Sequence, residues 1–103
     1  LGDVYKRQAL DEYGEEDFLS VDIANRWVAL AFNTWDENGI AHMYQPINQK
    51  YEDSQEDAPV NIGGQTPVLK RNALDNLDLA AECVLHFAKT GELYPNLKWE
   101  EAK

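Results

Sequence analysis

Cys83 and His86 stand three apart in the C-terminal third of the chain. On a helix that spacing brings a thiol and an imidazole close together, as in a metal-ligand pair or a thiolate activated by a base. The surrounding pattern weakens the pairing. Cys83 falls at the border of an apolar stripe, His86 falls on the polar side, and no third or fourth ligand follows nearby. A buried-edge thiol beside a surface histidine is the plainer reading. His42, two residues before Tyr44, suits a general base if a carboxylate from the acidic loop at 48–59 swings beside it; an ordinary strand histidine fits the same residues. Ser20 and Ser54 are the only serines, and neither sits in a nucleophile elbow. The paired carboxylates Glu15-Glu16, Asp36-Glu37 and Glu56-Asp57 lack the spacing of a calcium loop and lie in turn-like stretches. Gly63-Gly64 is followed by neither Lys-Ser nor Lys-Thr, so it is not a phosphate loop. No metal and no cofactor are called for. An enzyme or metal-dependent protein using His42, Cys83 and His86 stays open as an alternative.

Charge and aromatics carry more. Nineteen acidic residues against nine Lys and Arg give a net charge of −10 in 103 residues. Phosphate binding depends on cations that displace counterions, so nucleic acid is not the expected direct ligand. A strong negative field instead speeds the approach of a basic partner, although solubility alone also accounts for it. Asp36, Glu37, Glu52, Asp53, Glu56 and Asp57 fall on two connections, with Trp35, Tyr44 and Tyr51 close in sequence. Aromatics ringed by charge on stiffly held loops make interface anchors, so these nine residues form the candidate contact for a basic partner.

The elements that position them follow from period and punctuation. "FLSVDIA" alternates Leu19, Val21 and Ile23 against Ser20 and Asp22, a strand with one wet face. A turn at Ala24-Asn25 leads into "RWVALAFNTW", with Val28, Leu30 and Phe32 on one face and Trp27, Ala29 and Ala31 on the other. A strand apolar on both sides belongs in the middle of a sheet, with at least one face covered by a helix. Asn38-Gly39 marks a tight turn, and Ile40–Ile47 reads as the third strand of a meander, its end forced to an edge or bulge by Pro46. The acidic loop follows, then a turn at Gly63-Gly64 between the short extended pieces Val60–Ile62 and Pro67–Lys70. Leu74, Leu77, Ala81, Val84, Leu85 and Ala88, widened by Ala80 and Phe87, predict an amphipathic helix capped by Asn72 and stopped by Gly91 and Pro95. Leu79 projects on its polar side. Leu97 and Trp99 then dock a last extended segment on the core. The whole predicts an α+β fold, a mainly antiparallel sheet with one principal C-terminal helix packed on it.

The first eight residues, "LGDVYKRQ", stand apart from the acidic chain that follows. One choice of codons for them resembles the end of a transposase-based sequencing adaptor read in frame. Residues 1–8 are therefore expected to be a scar, and 9–103 a single domain truncated at its N-terminus. Without the scar's Asp3, Lys6 and Arg7 the net charge is −11. Such a segment should pack poorly, and any order it shows would stand in for a lost native piece. Ala9–Asp17 reads as an irregular lead-in. Cys83 is the only cysteine, which excludes an intrachain disulfide and suits the cytoplasm. No apolar run approaches the roughly 20 residues of a membrane span.

The ending "LAAECVLHFAKTGELYPNLKWEE" resembles the closing signature of bacterial polymorphic-toxin immunity proteins, immunity family one. The matching residues are Phe87, Thr90 and Gly91 at the end of a helix, then Pro95, Trp99 and Glu100. The order of strands, Gly-Gly, Pro-Val and helix upstream agrees over residues 18–101. The resemblance implies a cytoplasmic inhibitor that binds a cognate toxin domain and occludes it, performing no chemistry itself. Toxins found beside this family include ones that modify nucleic acids, whose basic grooves an acidic inhibitor would fill. A general acidic interaction module, such as a nucleic-acid mimic, stays open beside it.

Overall fold

The computed structural model describes residues 2–10 and 16–102, with side chains described from residue 17 onward. Its strands are β1 (Gly2–Leu10), β2 (Glu16–Ala24), β3 (Trp27–Trp35), β4 (Ala41–Pro46), β5 (Asp57–Ile62), β6 (Thr66–Leu69) and β7 (Trp99–Glu101). One α-helix, α1, spans Leu77–Thr90. Five strands form an antiparallel sheet in the order β1-β2-β3-β4-β7, while β5 and β6 pair as a separate hairpin. The α+β expectation holds, and the meander of three strands is the centre of this sheet.

The two apolar faces of β3 explain its central place. Val28, Leu30 and Phe32 join Leu19 and Val21 of β2 beneath Ala80, Cys83 and Phe87 of α1. On the other side, Ala29 packs with Ala58, Val60, Val68 and Ala73 of the β5–β6 region. Small side chains on this second face let the hairpin lie close. The face of β2 read as wet is therefore covered, and Asp22 is only 6% exposed. Ile23, assigned to the apolar side, is instead 55% exposed at the strand's end.

Local chemistry sets the boundaries. The β2–β3 turn is Asn25-Arg26, one residue later than predicted, with φ of 53° and 66°. Positive φ at both central residues is the hairpin geometry that follows the natural twist of strands. Pairing of β4 with β3 ends at Tyr44 opposite Phe32, and Leu74 takes the vacant edge by exchanging two backbone hydrogen bonds with Val28. Leu74 is thus core, but it precedes the helix. Asn76, not Asn72, caps α1, its side chain accepting from the Leu79 amide. Asn72 is buried and donates to the Pro46 carbonyl and to Glu100.

Moving the cap rotates the reading of the helix. Leu77 and Leu85, placed in the apolar stripe, are 47% and 58% exposed. Ala81 and Ala88 are exposed as well. The buried stripe is Ala80, Cys83 and Phe87, flanked by Leu79 and Val84. Leu79 therefore packs on the core, contrary to its assignment to the polar side.

β1 forms a regular ladder with β2 from Gly2 opposite Asp22 to Lys6 opposite Phe18, and the register shifts before Leu10. Ala9, Leu10, Glu16 and Asp17 are strand residues, which corrects the irregular lead-in at both its ends. The segment expected to pack poorly is thus paired into the sheet along its backbone. The side chains of Val4 and Tyr5 lie outside the described residues, as does the backbone of residues 11–15.

Candidate functional site

The β3–β4 connection is a compact acidic turn. Asp36 organises it: Oδ1 accepts from the amides of Asn38 and Ile40 at 2.9 and 3.0 Å, and Gly39 takes the positive φ of 76°. Its Oδ2 lies 2.9 Å from His42 Nε2, while His42 Nδ1 lies 2.8 Å from Glu101 Oε2. A carboxylate at each ring nitrogen favours the doubly protonated imidazolium. The hydrogen bond to Asp36, then that to Glu101, raises the His42 pKa above its ordinary 6.5. Asp36 is lowered from 3.8, chiefly by His42 and then by the Ile40 amide. The carboxylates come not from the acidic loop at 48–59 but from the β3–β4 turn and from β7, and they clasp turn, β4 and β7 together. Both ring nitrogens are engaged by carboxylates of the protein itself.

The second acidic connection lies elsewhere. Asn48 caps a 3-10 turn at Gln49–Tyr51, and the Tyr51 ring sits against Trp27 at 5.4 Å between centroids. Lys50 and Lys70 place their ammonium groups 5.4 and 5.7 Å from the same ring. Arg71 ties this loop down, donating from Nη1 to the Glu52 carbonyl and from Nε and Nη2 to Glu100 at 2.8 and 2.9 Å. Lys50 pairs with Asp75 at 3.1 Å and Lys70 with Glu56 at 3.7 Å.

The nine candidate contact residues therefore do not make one cluster. Trp35, Asp36 and Glu37 lie at one end of β3, whereas Tyr51 lies at the Trp27 end, about 27 Å away at the rise of an extended strand. Glu37, Glu52, Asp53, Glu56 and Asp57 are exposed, and Asp36 is half-buried in its own turn. Trp35 rests on Phe18 at 5.9 Å. Tyr44 is turned to the helix side, against Phe32 at 6.4 Å. Only spacing along the chain linked the two connections, and a strand traversed between them separates them in space.

The remaining chemical candidates are dispersed too. Cys83 is buried, and burial pushes its thiol up to about 11. His86 meets Tyr94 edge to face at 5.8 Å on the outer side of α1. Among the described residues no group of three or more His, Cys, Asp and Glu is placed to hold a metal ion.

The chain matches no family model, no curated protein and no solved structure. The residues of the closing signature all have structural work. Phe87 fills the core against Phe32, with ring centroids 5.6 Å apart. Thr90 Oγ1 donates to the His86 carbonyl and accepts from the Glu92 amide. Gly91 ends the helix at φ 73°, its amide bonded to the Phe87 carbonyl. Pro95 is exposed just past that stop, Trp99 donates to the Tyr94 carbonyl at 3.0 Å, and Glu100 receives Arg71 and Asn72.

Sequence reasoning missed Asp22. Alternation marked it as a solvated position, and only the hairpin three connections later makes it an interior carboxylate. The available signal was indirect: Ala29 and Ala31 on the far face of β3 leave room for a second layer.

Proposed function

We propose that this chain is an immunity protein, a binding inhibitor that neutralises a basic toxin domain by covering it with an acidic surface. The observation that carries this reading is the disposition of charge. Lys50, Lys70 and Arg71 are spent on the protein's own Asp75, Glu56 and Glu100, while Glu37, Glu52, Asp53 and Asp57 stand exposed. The field around a chain of net charge −10 is then dominated by unspent carboxylates held on a stiff sheet. Occlusion by such a surface needs no reaction from the inhibitor, and its activity resides in shape and potential. The closing signature of α1 and β7 supports the family of the inhibitor. The cytoplasm, where an immunity protein meets its toxin before release, is the proposed compartment.

The gene should lie beside a toxin-domain gene, and coexpression should protect cells from that toxin. Two charge reversals, Glu37 to Lys at one end and Glu52, Asp53, Glu56 and Asp57 to Lys at the other, identify the contacting end. Reversal at that end should slow association about tenfold or more and flatten its salt dependence. If neither set changes the kinetics with the adjacent toxin, the electrostatic mechanism is wrong. If no neighbouring toxin is bound, the function is wrong.

A further inference from the structure

On the face of the sheet away from α1, beside the β5–β6 hairpin, lies a cleft of about 870 Å³. Asp22 lines it, together with Ile62, Gly63 and Gly64 at the hairpin tip. Oδ2 of Asp22 accepts from the Gly63 amide at 3.1 Å. Its other oxygen meets no donor among the described residues, and Asp22 makes no ion pair there although 94% of the residue is withdrawn from water. Its polar neighbours do not help it: Ser20 Oγ and Asn33 Nδ2 both donate to the Ala31 carbonyl, at 3.3 and 3.2 Å. A carboxylate removed from water is stable when it meets a cation or several donors, and this one has a single amide.

We propose that this cleft receives an arginine side chain of the protein partner, with the guanidinium seated on Asp22. The proposal rests on the basic partner inferred above. Each carboxylate oxygen accepts two hydrogen bonds, so Asp22 retains room for the two-pronged contact of a guanidinium while keeping Gly63. Phe18 and Ile62 also line the cleft and offer apolar surface to the aliphatic stem. The long side chain of arginine can bury its stem while delivering the charged head, and its planar fork fits a carboxylate better than an ammonium does. A Cβ built on Gly63 or Gly64 would meet nothing within 4 Å, so the tip leaves the entrance open. Trp35, at the end of β3, packs on the Phe18 that lines the cleft.

The full chain, labelled with 15N, would be titrated with N-acetyl-arginine amide and, separately, with the neutral isostere N-acetyl-citrulline amide. Saturable shifts at the Asp22, Gly63 and Gly64 amides are expected with the first and not the second. Asp22→Asn keeps an oxygen for the Gly63 amide and removes the charge, so its melting temperature should hold while arginine affinity falls about tenfold or more. Equal response to citrulline, unchanged affinity in Asp22→Asn, or shifts confined to residues 36–37 and 52–57 would each overturn the site. Arginine binding without any toxin partner would keep the cleft and remove the proposed function. A toxin complex unaffected by Asp22→Asn, with no arginine binding, would do the reverse.

Discussion

Replacing Phe87 by Ala tests the packing of the helix on the sheet. Phe87 is 2% exposed and its ring meets Phe32 edge to face, so truncation removes both its transfer free energy and the contacts around the vacated space. Such a change costs about 3–5 kcal/mol in a core that only partly relaxes. A domain of this size is stable by roughly 5–15 kcal/mol, so the variant should lose a large fraction of its stability. At about 4–8 °C per kcal/mol, the melting temperature should fall by at least about 12 °C. Leu85→Ala is the control. At 58% exposure it should change stability by about 0.5 kcal/mol or less. Urea denaturation followed by tryptophan fluorescence and far-ultraviolet circular dichroism would measure both, with coincident transitions and an unchanged slope as the check on two-state behaviour. If Phe87→Ala does not fold, Phe87→Leu should show a smaller loss in the same direction. A cost for Leu85→Ala above that of either Phe87 variant would refute the packing and restore the stripe read from the sequence.

His42 should titrate by NMR with a midpoint above its ordinary 6.5, and Asp36→Asn should lower that midpoint. The His42 clasp contributes its full stability below pH 6.5 and loses it as pH rises through the higher folded pKa. The Asp36 contribution is present above its ordinary 3.8 and fades as pH falls through its lower folded value. A His42 midpoint at or below 6.5 would disprove the clasp. Cys83, buried and with its thiol raised to about 11, should resist a disulfide-exchange reagent at pH 8 until the protein unfolds. Fast labelling of the folded chain would place the thiol outside the core.

The meander β2-β3-β4 was legible because each of its strands announces itself locally, whereas β1 fell on residues read as a scar and an irregular lead-in. Alternation in β2, the doubly apolar β3 and the Asn38-Gly39 turn carry their own geometry, and so do the glycine pair of the hairpin and the Gly91 stop. What depended on distant packing was not legible. The helix carries apolar residues on more than one side, and only the docking of Leu74 onto Val28 before the helix starts decides which side faces inward. Leu77 and Leu85 lost to Leu79 and Cys83 for that reason. The two acidic connections looked adjacent because the chain passes quickly from one to the other; direction along β4 carries them apart. Asp22 was hidden because burial came from a hairpin whose position no local pattern records. The clasp on His42 was not visible: a carboxylate was expected from the acidic loop at 48–59, whereas Asp36 comes from the preceding turn and Glu101 from β7, which pairs with β4 across a long stretch of sequence.

Because β3 has helix on one side, hairpin on the other, β2 paired along one edge and β4 and Leu74 paired to parts of the other, its amides should be among the last to exchange with solvent deuterium. The acidic turn, the Tyr51 loop and the hairpin tip all hang from its margins. Each can shift to accept a partner while that slow-exchanging strand stays closed, so the adjustment demanded by recognition is confined to the periphery and the fold's memory of itself is kept in nine residues.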